Sequence, residues 1–184
     1  MVAAGLGTTA IRPPQPGASV APTAEHSGPA GPVLPRSEPV RVTIPRIGVD
    51  ADIVPVGTGD DGELEVPPLE HPEIAGWYRR GPTPGEAGNA VLVGHVDSQM
   101  GPAVFFDLGR LRPGDTVRVT RADGRVATFT VDGVGVYPKD RFPTDRVYGG
   151  GADVRLRLIT CGGRFNPHTG SYPDNIVVFA TATR

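Results

Sequence analysis

Glycine and proline punctuate this chain densely, with 26 and 21 of them in 184 residues. Proline removes a backbone donor and glycine weakens the interior of helices and strands alike, so the composition favours many short strands joined by turns and disfavours long helices. The apolar residues between these breaks point the same way. Val40-Arg-Val-Thr-Ile44 alternates, Ile47 to Val54 follows after Pro45, and Leu64-Glu-Val66, Gly76-Trp-Tyr-Arg79 and Asn89 to Val96 are further strand candidates. Asn89 to Val96 is nearly all apolar, which predicts a central strand. Thr116 to Thr120 and Val126 to Val131 flank an Asp123-Gly124 pair, the signature of a hairpin, and Val134 to Tyr137 extends the second of them. Val154 to Thr160 alternates up to Cys161, and Asn175 to Thr181 closes the series. Ala103 to Leu111 has helical spacing ahead of Arg112-Pro-Gly-Asp115, so one short helical turn is expected there. About eight strands with one or two short helices predict an all-β fold, a closed or nearly closed barrel.

The N-terminal part reads differently. From Arg12 to Pro39 there are eight prolines in 28 residues, mixed with Gly, Ala and Ser and almost no large apolar side chains. Such a stretch buries too little surface to offset chain ordering, so residues 1–39 are expected to be a disordered linker or the remnant of an anchor arm, and residues 40–184 the folded domain. Apolar residues at 38%, charged residues at 21% and a formal net charge of −2 describe a soluble globular domain. Lys139 is the only lysine and the arginines are scattered among acids, which argues against a nucleic-acid partner. No apolar run reaches the 18 residues of a membrane helix. A monomer is expected.

The single cysteine, Cys161, excludes an internal disulfide. It stands at the end of an alternating strand and is followed at once by Gly162-Gly163, where a substrate backbone can come close. A free cysteine is often only a small buried hydrophobe, but such a residue fits better inside a strand pattern than at its end. His95 ends the apolar run 90–94 at a second strand-to-loop boundary. A thiol and an imidazole at the ends of two central strands can meet on one rim, the arrangement that nucleophilic thiol chemistry needs. Of the other histidines, His26 lies in the linker, His71 precedes Pro72, and His168, seven residues after Cys161, is the one rival for the base. Four histidines and one cysteine show no zinc-ligand spacing. Asp60, Asp61, Glu63 and Glu65 could bind calcium but are better explained as an exposed turn.

The strings Asn89-Ala-Val-Leu-Val-Gly-His-Val-Asp97 and Leu158-Ile-Thr-Cys-Gly-Gly163, with Ile44-Pro-Arg-Ile-Gly48 and Gly76-Trp-Tyr78, resemble the sortase family across residues 40–183, most like its actinobacterial class F branch. The resemblance implies an eight-stranded β-barrel held on the extracellular face of the cell membrane by an N-terminal anchor. It implies that Cys161 attacks the Thr-Gly bond of a Leu-Pro-X-Thr-Gly-like sorting signal to form a thioester. His95 would then serve as proton-transfer partner while an amine of a peptidoglycan precursor or a pilin lysine takes the acyl group. No metal or organic cofactor enters that scheme. The family also places an arginine on or just before the last strand, to bind the substrate carbonyl or oxyanion, and here Pro173 stands about at that position. Arg164 is the substitute expected from sequence, with Asn175 and the backbone at Gly162 and Gly163 as further substrate-binding groups. Two alternatives remain at this level. One is another cell-wall thiol enzyme such as an L,D-transpeptidase, whose Ser-His-Gly segment before the cysteine is replaced here by Leu158-Ile-Thr160. The other is a secreted β-barrel binding module with an inert buried cysteine.

Overall fold

The computed structural model describes residues 12–17, 31–60 and 62–183. Among them, eight strands close into one barrel: β1 (Pro39–Ile44), β2 (Val49–Val56), β3 (Ala75–Tyr78), β4 (Gly88–Val93), β7 (Thr116–Arg121), β8 (Val126–Pro138), β9 (Val154–Gly162) and β10 (Asp174–Ala182). The order around the barrel is β1-β2-β3-β4-β9-β10-β8-β7, with β7 returning to β1. A two-stranded ribbon of β5 (Asp97–Ser98) and β6 (Gly101–Pro102) follows β4, and a five-residue helix α1 (Thr144–Tyr148) follows β8. The all-β, barrel-forming expectation is met.

Burial explains the strands. Trp77, Phe105, Phe129, Leu156, Leu158 and Ile176 fill the barrel interior and are essentially inaccessible to solvent. The alternate residues Val91, Val93, Ile159, Val177 and Phe179 pack in a second cluster on the outer face, with Val147 of α1 among them. Strands β4, β9 and β10 are therefore buried on both sides, which is why β4 reads as an unbroken apolar run. Each large interior side chain contributes on the order of 2–5 kcal/mol against truncation to alanine.

One local expectation is corrected and another, the short helical turn, is met. Leu64 to Val66 forms no strand, only an isolated bridge between Thr58 and Leu64, because Pro67 and Pro68 follow at once and supply no amide hydrogen. The helical spacing of 103–111 yields a single 3-10 turn over Leu108–Arg110, with Gly109 inside it and Pro113 soon after. The stretch before the barrel is only partly described. Residues 31–38 lie against the barrel through Gly31 N–H to Ala182 O (3.3 Å), Leu34 N–H to Gly85 O (2.8 Å) and Ala122 N–H to Glu38 O (2.8 Å). The expected disorder of residues 1–11 and 18–30 lies outside the described residues.

Candidate active site at one rim of the barrel

Strands β4 and β9 run parallel and side by side, and their last registered pair is Val93 with Ile159. The ladder continues past it, since Gly94 N–H donates to Ile159 O at 3.1 Å and the Thr160 hydroxyl donates to Gly94 O at 2.8 Å. Two residues beyond that pair, in the same register, stand His95 and Cys161. Adjacent strands are about 4.8 Å apart, so the ends of β4 and β9 bring the two residues to the same rim of the barrel. Asn175 is the cross-strand partner of Cys161 on β10, and Tyr137 on β8 is the partner of Asn175. One row across four strands thus holds His95, Cys161, Asn175 and Tyr137.

Cys161 is half-buried and free. Its thiol pKa lies above the ordinary value, chiefly because burial pushes it up; the nearby Lys139 pulls it down in part, and the Asp97 charge adds to the rise. A sealed apolar cysteine would have no such polar company, and this environment disfavours the inert-cysteine alternative. The half-buried His95 ring meets the carbonyl of Pro67 through Nε2 at 2.6 Å. A carbonyl can only accept, so Nε2 carries the hydrogen and Nδ1 is the nitrogen left to exchange protons. Among the described residues His95 makes no hydrogen bond to Cys161. Two residues on, Asp97 accepts a hydrogen bond from the hydroxyl of the buried Tyr172. Burial first, then the bond to the Asp97 carboxylate, raises the phenol pKa far above its ordinary range.

The remaining expected site residues fall as follows. Gly162 is buried, and a Cβ there would sit 2.7 Å from Ile176 Cγ1, so its lack of a side chain is required by packing beneath the rim. Gly163 has a φ of +87°, a conformation glycine adopts without strain, and its N–H donates to Gln15 Oε1 at 3.4 Å. Gln15 belongs to the stretch Arg12 to Gly17, which lies along this rim with Pro13 buried and the Pro14 carbonyl against Gly109. Arg164 is exposed and has no hydrogen bond or ion pair among the described residues. Pro173 is exposed immediately before β10. His168 is exposed in the loop after β9 and shows no contact with Cys161, His71 faces Glu73 in solvent at 3.4 Å, and His26 lies outside the described residues. Of the possible calcium turn, Asp61 is outside the described residues and the Glu65 carboxylate accepts the Gly57 N–H at 2.8 Å. No group of three or more potential metal ligands occurs among the described residues.

Three residues of this rim carried no role in the sequence: Lys139, Asp97 and Tyr172. Lys139 had one available signal, being the chain's sole lysine, and Asp97 lay inside the histidine segment itself. Nothing marked Tyr172.

A sortase domain family model matches residues 42–183, most of the chain. No curated protein matches it. Solved structures similar to it include sortase C1 of the group B Streptococcus pilus island 1, at 21% identity and a TM-score of 0.61, covering 79% of this chain and 65% of that one. Sortase C-1 from Actinomyces oris is 22% identical with a TM-score of 0.61, covering 80% and 76% respectively. Sortase A from Corynebacterium diphtheriae is 20% identical with a TM-score of 0.62, covering 82% and 62%. The chain spans less than two thirds of the length of the first and last of these.

Proposed function

Because this chain belongs to the sortase family, we propose that it is a cysteine transpeptidase with Cys161 as nucleophile and His95 as proton-transfer partner. What supports this most is one observation: β4 and β9 are adjacent parallel strands, and His95 and Cys161 each stand two residues past their last registered pair, at one rim of the barrel. The thiol proton passes to the imidazole, and the sulfur adds to the carbonyl of the Thr-Gly bond in a Leu-Pro-X-Thr-Gly-like signal. The tetrahedral intermediate collapses, the C–N bond breaks, and the imidazolium gives its proton to the departing glycine amine, leaving a thioester on Cys161. An acceptor amine, from a peptidoglycan precursor or a pilin lysine, then attacks the thioester. The imidazole takes its surplus proton and returns it to the sulfur as the new amide forms. The scheme requires neither metal nor organic cofactor. Class F membership and a place on the extracellular face of the cell membrane belong to the same proposal and rest on the sequence resemblance.

Incubation with Leu-Pro-X-Thr-Gly peptides and an amine, followed by mass spectrometry, tests it. The expected result is an acyl adduct on Cys161 and an amine-transfer product. Cys161→Ala is expected to abolish both, and His95→Ala to lower transfer by at least about a hundredfold, the low end for loss of a positioned acid/base. Absence of adduct and product across a varied peptide set would overturn the assignment.

A further inference from the structure

A cation beside the sulfur is chemically useful twice in the proposed reaction, first to favour thiolate and then to meet the oxyanion that forms on the attacked carbonyl. The arginine expected for that work is missing. Pro173 stands about where it was sought, and Arg164 is exposed without partners among the described residues. The sheet brings a different cation there. Tyr137, Asn175 and Cys161 form one row across β8, β10 and β9, and Lys139 is the first residue after β8, at the start of a 3-10 turn over Lys139–Arg141. Its backbone N–H donates to Pro173 O at 3.0 Å, which pins the lysine next to the proline that replaces the expected arginine. From that anchor a four-carbon stem can reach across the single intervening strand, and the Lys139 charge acts on the Cys161 thiol, pulling its pKa down against the larger effect of burial. No other lysine exists to compete.

We propose that Lys139 is a catalytic residue of this chain, the cation that pairs with the Cys161 thiolate and then donates to the oxyanion in place of the absent arginine. The proposal rests on the transpeptidase reading for its second role only, because pairing with a thiolate needs no substrate. An attacked carbonyl oxygen lies one C–S and one C–O bond from the sulfur, so an ammonium near the sulfur reaches it with little movement. The other ionisable groups facing this sulfur are His95 after β4, Asp97 of β5 and Tyr172 before β10. Asp174 lies beyond Gly163, where a Cβ would sit 2.6 Å from its Oδ2. Of the two carboxylates, Asp97 opposes thiolate formation. Lys139 is the permanent positive charge among them.

The test reads the thiol directly. Cys161 is the only cysteine, so iodoacetamide alkylation followed by intact mass gives its thiolate fraction as a function of pH. Removing the ammonium in Lys139→Met is expected to shift the alkylation profile to higher pH and to slow alkylation at neutral pH severalfold. Lys139→Arg, which keeps the charge, is expected to restore most of that rate, and Arg118→Met on the exposed face of β7 to leave the profile in place. Peptide transfer by Lys139→Met is expected to fall further than alkylation does, since it loses the oxyanion contact as well. A Lys139→Met profile that superimposes on that of the unaltered protein, with the fold intact by circular dichroism, would overturn the proposal. That outcome in a protein that still transfers peptide removes Lys139 and leaves the transpeptidase reading standing. Failure of the unaltered protein to form any thioester removes the transpeptidase reading instead.

Discussion

The two ends of strand β8 each hold a cation, and the barrel treats them in opposite ways. Where β8 begins, Arg121 at the close of β7 is 1% exposed. Its guanidinium donates to Pro84 O at 2.6 Å, donates to Pro35 O, and pairs with Asp123 at 3.1 Å. Where β8 finishes, Lys139 is exposed, and its charge pulls the thiol pKa of Cys161 down. The first cation is saturated by carbonyls that have no other use for it, and it ties the segment before β1 to the loop before β4. The second has one reactive partner and open access to solvent, so it can exchange that partner for a substrate oxygen. Saturation marks a fastener, and an unsaturated cation at a rim marks chemistry.

The largest expected effect that tests this contrast is at the saturated end. Arg121→Met keeps much of the volume and removes every donor, leaving the carbonyls of Pro84 and Pro35 short of partners. The expected loss is about 2–4 kcal/mol of unfolding free energy, read from urea titration. Below the unfolding transition the pH profile of Cys161 alkylation is expected to be unchanged, because nothing links Arg121 to the sulfur. A variant as stable as the parent would break the contrast, as would one that shifts the thiol profile without unfolding.

A smaller effect is expected at the reactive end. A Cβ on Gly109 would sit 2.0 Å from the Pro14 carbonyl oxygen, a distance no relaxed contact allows. Gly109→Ala therefore displaces residues 12–17 rather than the barrel, since that stretch is the easier of the two to move. Overall stability is expected to fall by about 1 kcal/mol or less, at the bottom of the range for overpacking. The specific sign is local: the Gly163 amide, which meets Gln15 Oε1, is expected to exchange hydrogen faster while amides of β9 keep their protection. Unchanged exchange at Gly163 would show that the N-terminal stretch contributes nothing to the rim.

What the sequence made legible follows from burial. The nearly all-apolar β4 was readable because it packs on two faces, the alternation of β9 because Val154, Leu156 and Leu158 enter the interior while Arg155 and Arg157 do not, and the glycines beside His95 and Cys161 marked the strand ends. The barrel's closure was implied by many short strands. Leu64 to Val66 misled because β-propensity says nothing about a partner, and only Thr58 faces it. Helix α1 was silent because five residues after Pro143 are too few for a helical period to show. Lys139 was visible as a lone lysine but had no role until the strand order placed β10 between β8 and β9. That order is a long-range pairing, and no local pattern encodes it.

A third cation supplies the low end of the scale. Arg41 on β1 meets Asp50 at 2.6 Å and Asp52 at 2.7 Å on β2, and all three side chains are largely in solvent. Hydrogen bonding to Arg41 holds the Asp50 carboxyl below its usual pKa, against a smaller opposing effect of burial. A folded-state pKa below the unfolded value means that the pair stabilises the fold above the ordinary carboxylate range and ceases to do so as pH falls through the folded pKa. Water and salt screen charges this exposed, and holding long side chains in place has an entropic cost. Arg41→Gln is therefore expected to shift the melting temperature slightly at neutral pH and low salt. The shift should shrink with added salt and vanish once Asp50 is protonated. These two bonds are as short as the Pro84 contact of Arg121, so geometry alone would rank the two arginines equal. A melting loss for Arg41→Gln approaching that of Arg121→Met would mean that burial is not what separates the barrel's fasteners from its surface pairs.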